Sequence, residues 1–97
     1  IGQYRVTKNV EPSLVDFSYH ITDYKAFELL YKMVKTEGLF LGSSSGVNVA
    51  GAIEMAKEMG PGKNIVTILC DDANKYFSKL YNKNYLLSKK LPVPDWL

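Results

Sequence analysis

The run Asn64-Ile65-Val66-Thr67-Ile68-Leu69-Cys70, fenced in front by Gly60-Pro61-Gly62, constrains the fold more than any other stretch of the chain. Its residues are almost continuously β-branched or aliphatic. That pattern suits a strand covered on both faces, as in a parallel sheet. Upstream, Ala26, Phe27, Leu30, Tyr31 and Val34 repeat at helical spacing and predict a helix over 23–36, with Thr22 or Asp23 to cap it and Gly38 to stop it. A second helix is predicted from about Ser45 over 46–59, turning Val49, Ala50, Ile53 and Ala56 inward. Residues 15–21, VDFSYHI, alternate well enough for a strand. Asp71 and Asp72 are placed to cap a third helix with Tyr76, Phe77, Leu80 and Tyr81 on its apolar stripe. The tail LPVPDWL carries two prolines and no period, so it should run as an extended strap pinned by Trp96.

The order strand, helix, turn, helix, strand reads as α/β, with only one strand that looks central. Sheets of this kind usually hold ~5 or 6 strands. The expectation is therefore an incomplete parallel sheet with helices, part of a larger protein.

Composition narrows the function classes. Hydrophobic residues make up 46% and charged residues 23% of the 97 residues, close to soluble globular averages. Twelve basic and ten acidic side chains are scattered to a net charge of +2, without the concentrated basic surface that nucleic acid requires. No apolar run approaches the ~18 residues of a membrane span, and the first residues lack a signal-peptide pattern. The chain reads as soluble and intracellular. Cys70 is the only cysteine and reads as a small buried hydrophobe at a strand end; His20 stands alone, with no second base or metal ligand at useful spacing, and reads as structural.

The chemistry-bearing stretch is Gly42-Ser43-Ser44-Ser45-Gly46, between the apolar Leu39-Phe40-Leu41 and the second helical pattern. It fits the G-x-S-x-G form of a nucleophile elbow, and equally a helix N-terminus built to receive part of a ligand. The elbow needs a histidine base, which in α/β-hydrolases follows the serine, and no histidine follows Ser44. A phosphate loop needs a lysine directly after its last glycine, where this chain has Val47. A set of hydroxyls at a helix start remains, and taken alone it is also what an ordinary capped turn looks like.

IGQYRVTKNV at the start, EGLFLGSSSGVNVAGA in the middle and GPGKNIVTILCDDANKYFSKLYN after it resemble, in order, the cysteine synthase and cystathionine beta-synthase family. These are pyridoxal-phosphate (PLP) enzymes of fold type II, and the resemblance is to their C-terminal portion. It implies that residues 1–82 are the C-terminal part of a three-layer (αβα) catalytic domain and 83–97 an extended tail. It further implies that Ser44 meets the pyridine nitrogen of PLP, that Asp71 lies near the cofactor ring, and that Gly2 belongs to a substrate-binding motif. Cys70 stands where the family usually has proline. The Schiff-base lysine and phosphate cup of the family have no counterpart here, so the resemblance implies no catalytic lysine in this chain. A neutral hydroxyl can bond to an unprotonated ring nitrogen but cannot hold a proton on it.

The activity so implied is β-replacement of O-acetylserine by sulfide to give cysteine. Cystathionine synthesis or amino-acid β-elimination is the alternative within the family, and a noncatalytic interaction module the alternative outside it. The implied partners are an amino-acid substrate, sulfide, the remainder of the parent chain and a second copy in a homodimer. The implied location is the cytoplasm, or an organelle.

Overall fold

The computed structural model of the chain describes residues 16–97, apart from the side chains of Lys75 and Tyr76. Helix α1 spans Asp23–Glu37. Thr22 starts it, its hydroxyl oxygen accepting the Lys25 N–H at 3.2 Å, and the Lys25, Ala26 and Phe27 backbone follows in register. Gly38 ends it at φ 68°, a left-handed turn that only glycine adopts without cost, and its N–H returns to the Val34 carbonyl at 3.0 Å. Helix α2 spans Ser43–Met59 and begins two to three residues earlier than the periodicity predicts. After it come a short 3-10 turn over Ala73–Tyr76 and helix α3 over Lys83–Ser88, which Asn82 caps through the Tyr85 N–H at 3.2 Å.

The two long helices pack directly on one another. Ala26, Phe27, Leu30 and Tyr31 are buried on α1, and Ala26 and Leu30 meet Gly46 of α2, where Ala50 is also buried. The approach at Gly46 is too close for any side chain: a Cβ there would lie 2.6 Å from the Ala26 carbonyl oxygen and 2.8 Å from Leu30 Cγ. Leu41, Ala73, Leu80, Tyr81 and Leu86 complete the core, with Leu91, Val93 and Leu97 packed against it.

Tyr31 is the hub of the aromatic layer. Its ring meets Phe27, Tyr81 and Trp96 edge-on, with centroids 6.4, 5.8 and 6.0 Å away. Its hydroxyl donates to the Leu80 carbonyl, and the Tyr81 hydroxyl donates to the Leu41 carbonyl at 2.8 Å. Each buried phenol thus has an acceptor, as burial requires. Trp96 also packs on Phe40, so the tail is pinned as its sequence predicts.

The predicted sheet does not form among the described residues. Neither 16–21 nor 64–70 is a strand, and the β-pairing described is a single antiparallel bridge between Leu41 and Asp72. A covered parallel strand gains its stability from ladders on both sides and from layers on both faces. Here Val66, Ile68 and Leu69 are exposed, and no described strand lies beside them. For the same reason Cys70 is exposed rather than buried. The third helix is also shorter than its stripe suggests. Asp72 does cap, accepting the Asn74 N–H at 3.0 Å, but the helix lasts one 3-10 turn. Asn, Tyr, Phe and Ser are middling helix formers, and Leu80 and Tyr81 reach the core from a turn instead. The segment 83–97 opens with α3 and is irregular only beyond it.

Gly46→Ala should destabilise the fold by ~1–3 kcal/mol through overpacking. Gly51→Ala, at an open helix position with nothing within 4 Å of its Cβ, should be stabilising by up to ~1 kcal/mol. Denaturant melts followed by circular dichroism compare the two, and equal effects would contradict the crossing. A second outcome concerns alkali. Burial pushes the Tyr31 phenol above its ordinary 10.0, with the neighbouring Tyr81 adding to the shift, and burial raises Tyr81 likewise. A raised folded value means stability fully present below pH ~10 and lost as pH rises beyond it. Melting midpoints should therefore fall above pH ~10, and Tyr31→Phe should make that alkaline limb shallower. An identical limb in the variant would show that Tyr31 does not carry the linkage.

Candidate functional site

The serine loop becomes a site through two backbone hydrogen bonds. The Gly42 N–H donates to the Asp71 carbonyl at 2.8 Å, and the Ala73 N–H donates to the Phe40 carbonyl at 3.1 Å. These bonds cross the Leu41–Asp72 bridge and hold the entry to α2 against the segment leaving residue 70. The N-cap of the helix that carries Ser44 is thereby bonded to the backbone of Asp71, and both of these sequence-predicted residues, Ser44 and Asp71, are half-buried. Gly2 lies outside the described residues.

Helix α2 starts without a side-chain cap. Gly42 is its N-cap, and no acidic residue occupies its first turn. The first N–H groups of a helix have no acceptor inside it, and they form the positive end of the helix dipole. Of the early ones, the Ser45 N–H turns back to the Gly42 carbonyl at 3.2 Å. The Ser45 hydroxyl is fully buried, and no described residue partners its oxygen. Ser43 and Ser44 remain half-buried on the outer side of the turn. The site is thus a set of uncharged donors at a helix start.

Asn48 is a member that sequence reasoning missed. It stands one helical turn after Ser44, so both occupy one face of α2. Its amide donates to the Ile68 carbonyl at 2.9 Å and reaches the Cys70 sulfur at 3.4 Å. That ties the helix bearing Ser44 to the segment that ends in Asp71. The i, i+4 spacing from Ser44 was the available signal; only the fold shows what lies opposite it.

The arrangement offers no activated nucleophile. His20 is exposed, and among the described residues no hydrogen bond joins it to the serines. The described residues also contain no cluster of three His, Cys, Asp or Glu able to hold a metal ion. Hydroxyls and N–H groups without a base can bind and orient an acceptor but cannot strip a proton at neutral pH.

No protein-family model matches the chain. Curated relatives do. It is 43% identical over 97 residues to Cysteine synthase 2 of Schizosaccharomyces pombe, an alignment covering 98% of this chain and 24% of that protein. It is 44% identical over 93 residues to Cysteine synthase 1 of Emericella nidulans, covering 94% of this chain and 25% of that protein. It is 39% identical over 79 residues to the O-acetylserine dependent cystathionine beta-synthase of Bacillus subtilis, covering 81% and 26%. The chain spans about a quarter of the length of the curated relatives it matches, and the match is to their C-terminal part. Its ordered serine loop and helix pair therefore sit within that portion: the chain belongs to the cysteine synthase family as a counterpart of its C-terminal quarter.

Proposed function

We propose that the chain is the C-terminal part of a PLP-dependent cysteine synthase that replaces the acetoxy group of O-acetylserine with sulfide. The observation that carries this reading is the bare start of α2, with half-buried Ser44 in its first turn and its N-cap Gly42 bonded to the Asp71 carbonyl, in a chain aligned over nearly its whole length with cysteine synthases. Those residues fit one edge of a pyridine ring. An unprotonated ring nitrogen needs one neutral donor, and the first turn of α2 has no carboxylate to compete for it.

PLP, when bound, supplies the electron sink for β-replacement. The part played by this chain is to hold the ring edge. Ser44 would donate its hydroxyl to the ring nitrogen, a neutral contact that would leave that nitrogen without a fixed positive charge and so suit β-replacement. Asp71 would lie along the same edge, since the Gly42 N–H bonds to the Asp71 carbonyl and keeps the two segments together. Gly2 would belong to the substrate motif. The lysine that anchors PLP, and the phosphate site, would come from the remainder of a longer protein.

In that protein the described helices would flank a parallel sheet in a three-layer αβα domain, with residues 64–70 as one of its strands and 83–97 as its tail. A homodimer located in the cytoplasm, or in an organelle, completes the reading. No described helix is long and apolar enough to cross a membrane.

In the full-length protein, Ser44→Ala should retain most PLP, since it removes a neutral hydrogen bond of about 0.5–1.5 kcal/mol. Ser44→Asp should harm β-replacement more, because a carboxylate favours a protonated ring nitrogen. Cofactor absorbance and sulfide-dependent cysteine formation measure both. If the alanine variant is inactive at full cofactor occupancy while a serine-directed acylating reagent labels Ser44 in the parent, the ring-edge assignment is wrong.

A further inference from the structure

The faces of α1 and α2 turned away from the serine loop form, together with the strap Pro92–Pro94, a second feature: an open cavity of about 600 Å3. On α2 its lining residues Ala50, Ile53 and Lys57 lie roughly 180–240° around the helix from Ser44, at ~100° per residue. The cavity is therefore separate from the cofactor edge proposed above. Its size falls within the ~300–1,000 Å3 typical of small-molecule sites.

Its chemistry is divided between floor and rim. Leu29, Tyr31, Ile53 and Val93 present apolar surface, and the prolines form a stiff wall. At the rim stand Lys25, Lys32 and Lys57, with Glu28 as the one acidic lining residue. Lys25 is already engaged, its ammonium 2.6 Å from the Glu54 carboxylate on α2. Lys32 and Lys57 come from opposite helices; Lys57 also attracts the Glu54 carboxylate through space, but among the described residues neither lysine is within salt-bridge distance of an acid. The local excess is positive above an apolar floor. A cation would meet repulsion, a polyanion would leave the floor unused, and an uncharged apolar molecule would leave the lysines unanswered.

We infer that this cavity binds a small amphipathic monocarboxylate, its apolar body against Leu29, Ile53 and the Pro92–Pro94 strap and its carboxylate at Lys32 and Lys57. The helical spacing of Lys25, Glu28, Leu29 and Lys32 explains how one face of α1 supplies both chemistries.

Trp96 reports on the site. It is the only tryptophan of the chain, and it packs edge-on against Tyr31, which lines the cavity. The probe is octanoate, added to the full 97-residue chain below its micellar concentration, with 1-octanol as the uncharged control. Saturable Trp96 quenching is expected with octanoate, about tenfold weaker with octanol, and weaker again as salt screens the exposed lysines. Lys32→Glu and Lys57→Glu, both at exposed positions, should each weaken octanoate about tenfold while leaving the far-ultraviolet dichroism unchanged. The site is refuted if octanoate gives no saturable change, if octanol binds as well as octanoate, or if neither charge reversal alters octanoate affinity. The octanol comparison uses the unaltered chain, so it decides the matter even if a variant misfolds.

Discussion

The close crossing of α1 and α2 at Gly46 is the contact on which the rest of the structure depends. Two helices can share buried faces only as closely as their side chains permit, and here the Ala26 carbonyl and Leu30 fill the space a Cβ would take. The crossing places the first turn of α2 beside the apolar segment Phe40–Leu41, which then bridges to Asp72. Ion pairing contributes little to that geometry. The Lys25–Glu54 pair between the helices is exposed, and such pairs are screened by water and salt.

The aromatic layer converts the helix pair into a framework for the irregular segments. Tyr31 and Tyr81 each carry an apolar ring and one hydroxyl, and both hydroxyls end on backbone carbonyls of non-helical residues. This arrangement satisfies Leu41 and Leu80 where no ladder exists to do so. Phe40 and Trp96 extend the layer to the surface, so the loop before the serines and the C-terminal strap share one packed unit. The serine loop is consequently held from two sides: through its helix by Gly46, and through its leading segment by Leu41 and Gly42.

A helix start supported in this way is preorganised without being charged. No acidic side chain of its own first turn competes for its N–H donors. Asn48 adds a second tie from the same helix face, linking α2 to Ile68 and Cys70. Together these contacts explain how the start of α2 and Asp71, nearly thirty positions apart, are held together through the backbone bond from the Gly42 N–H to the Asp71 carbonyl.

The local code of the chain was legible where local forces dominate. The α1 stripe, the Thr22 cap, the Gly38 stop and the serine-rich start of α2 follow from spacing and capping chemistry, and the structure places them within a few residues of expectation. The family too was legible, because the glycine-flanked serines and their neighbours stand in order along the chain. The tail expected over 83–97 instead opens with α3, which Asn82 caps. Other features depended on partners remote in sequence. A run such as Ile65–Leu69 specifies a readiness to pair, but strands exist only when other strands lie alongside, so the described residues show one isolated bridge in place of a sheet. Exposure of Cys70, burial of the Ser45 hydroxyl, the role of Asn48 and the lysine-rimmed cavity are likewise decided by which surfaces meet. Sequence determined which segments coil and where a serine-rich turn opens a helix, since capping and periodicity act over a single turn; tertiary structure alone decided which segments face one another, since packing acts between segments that the chain keeps far apart.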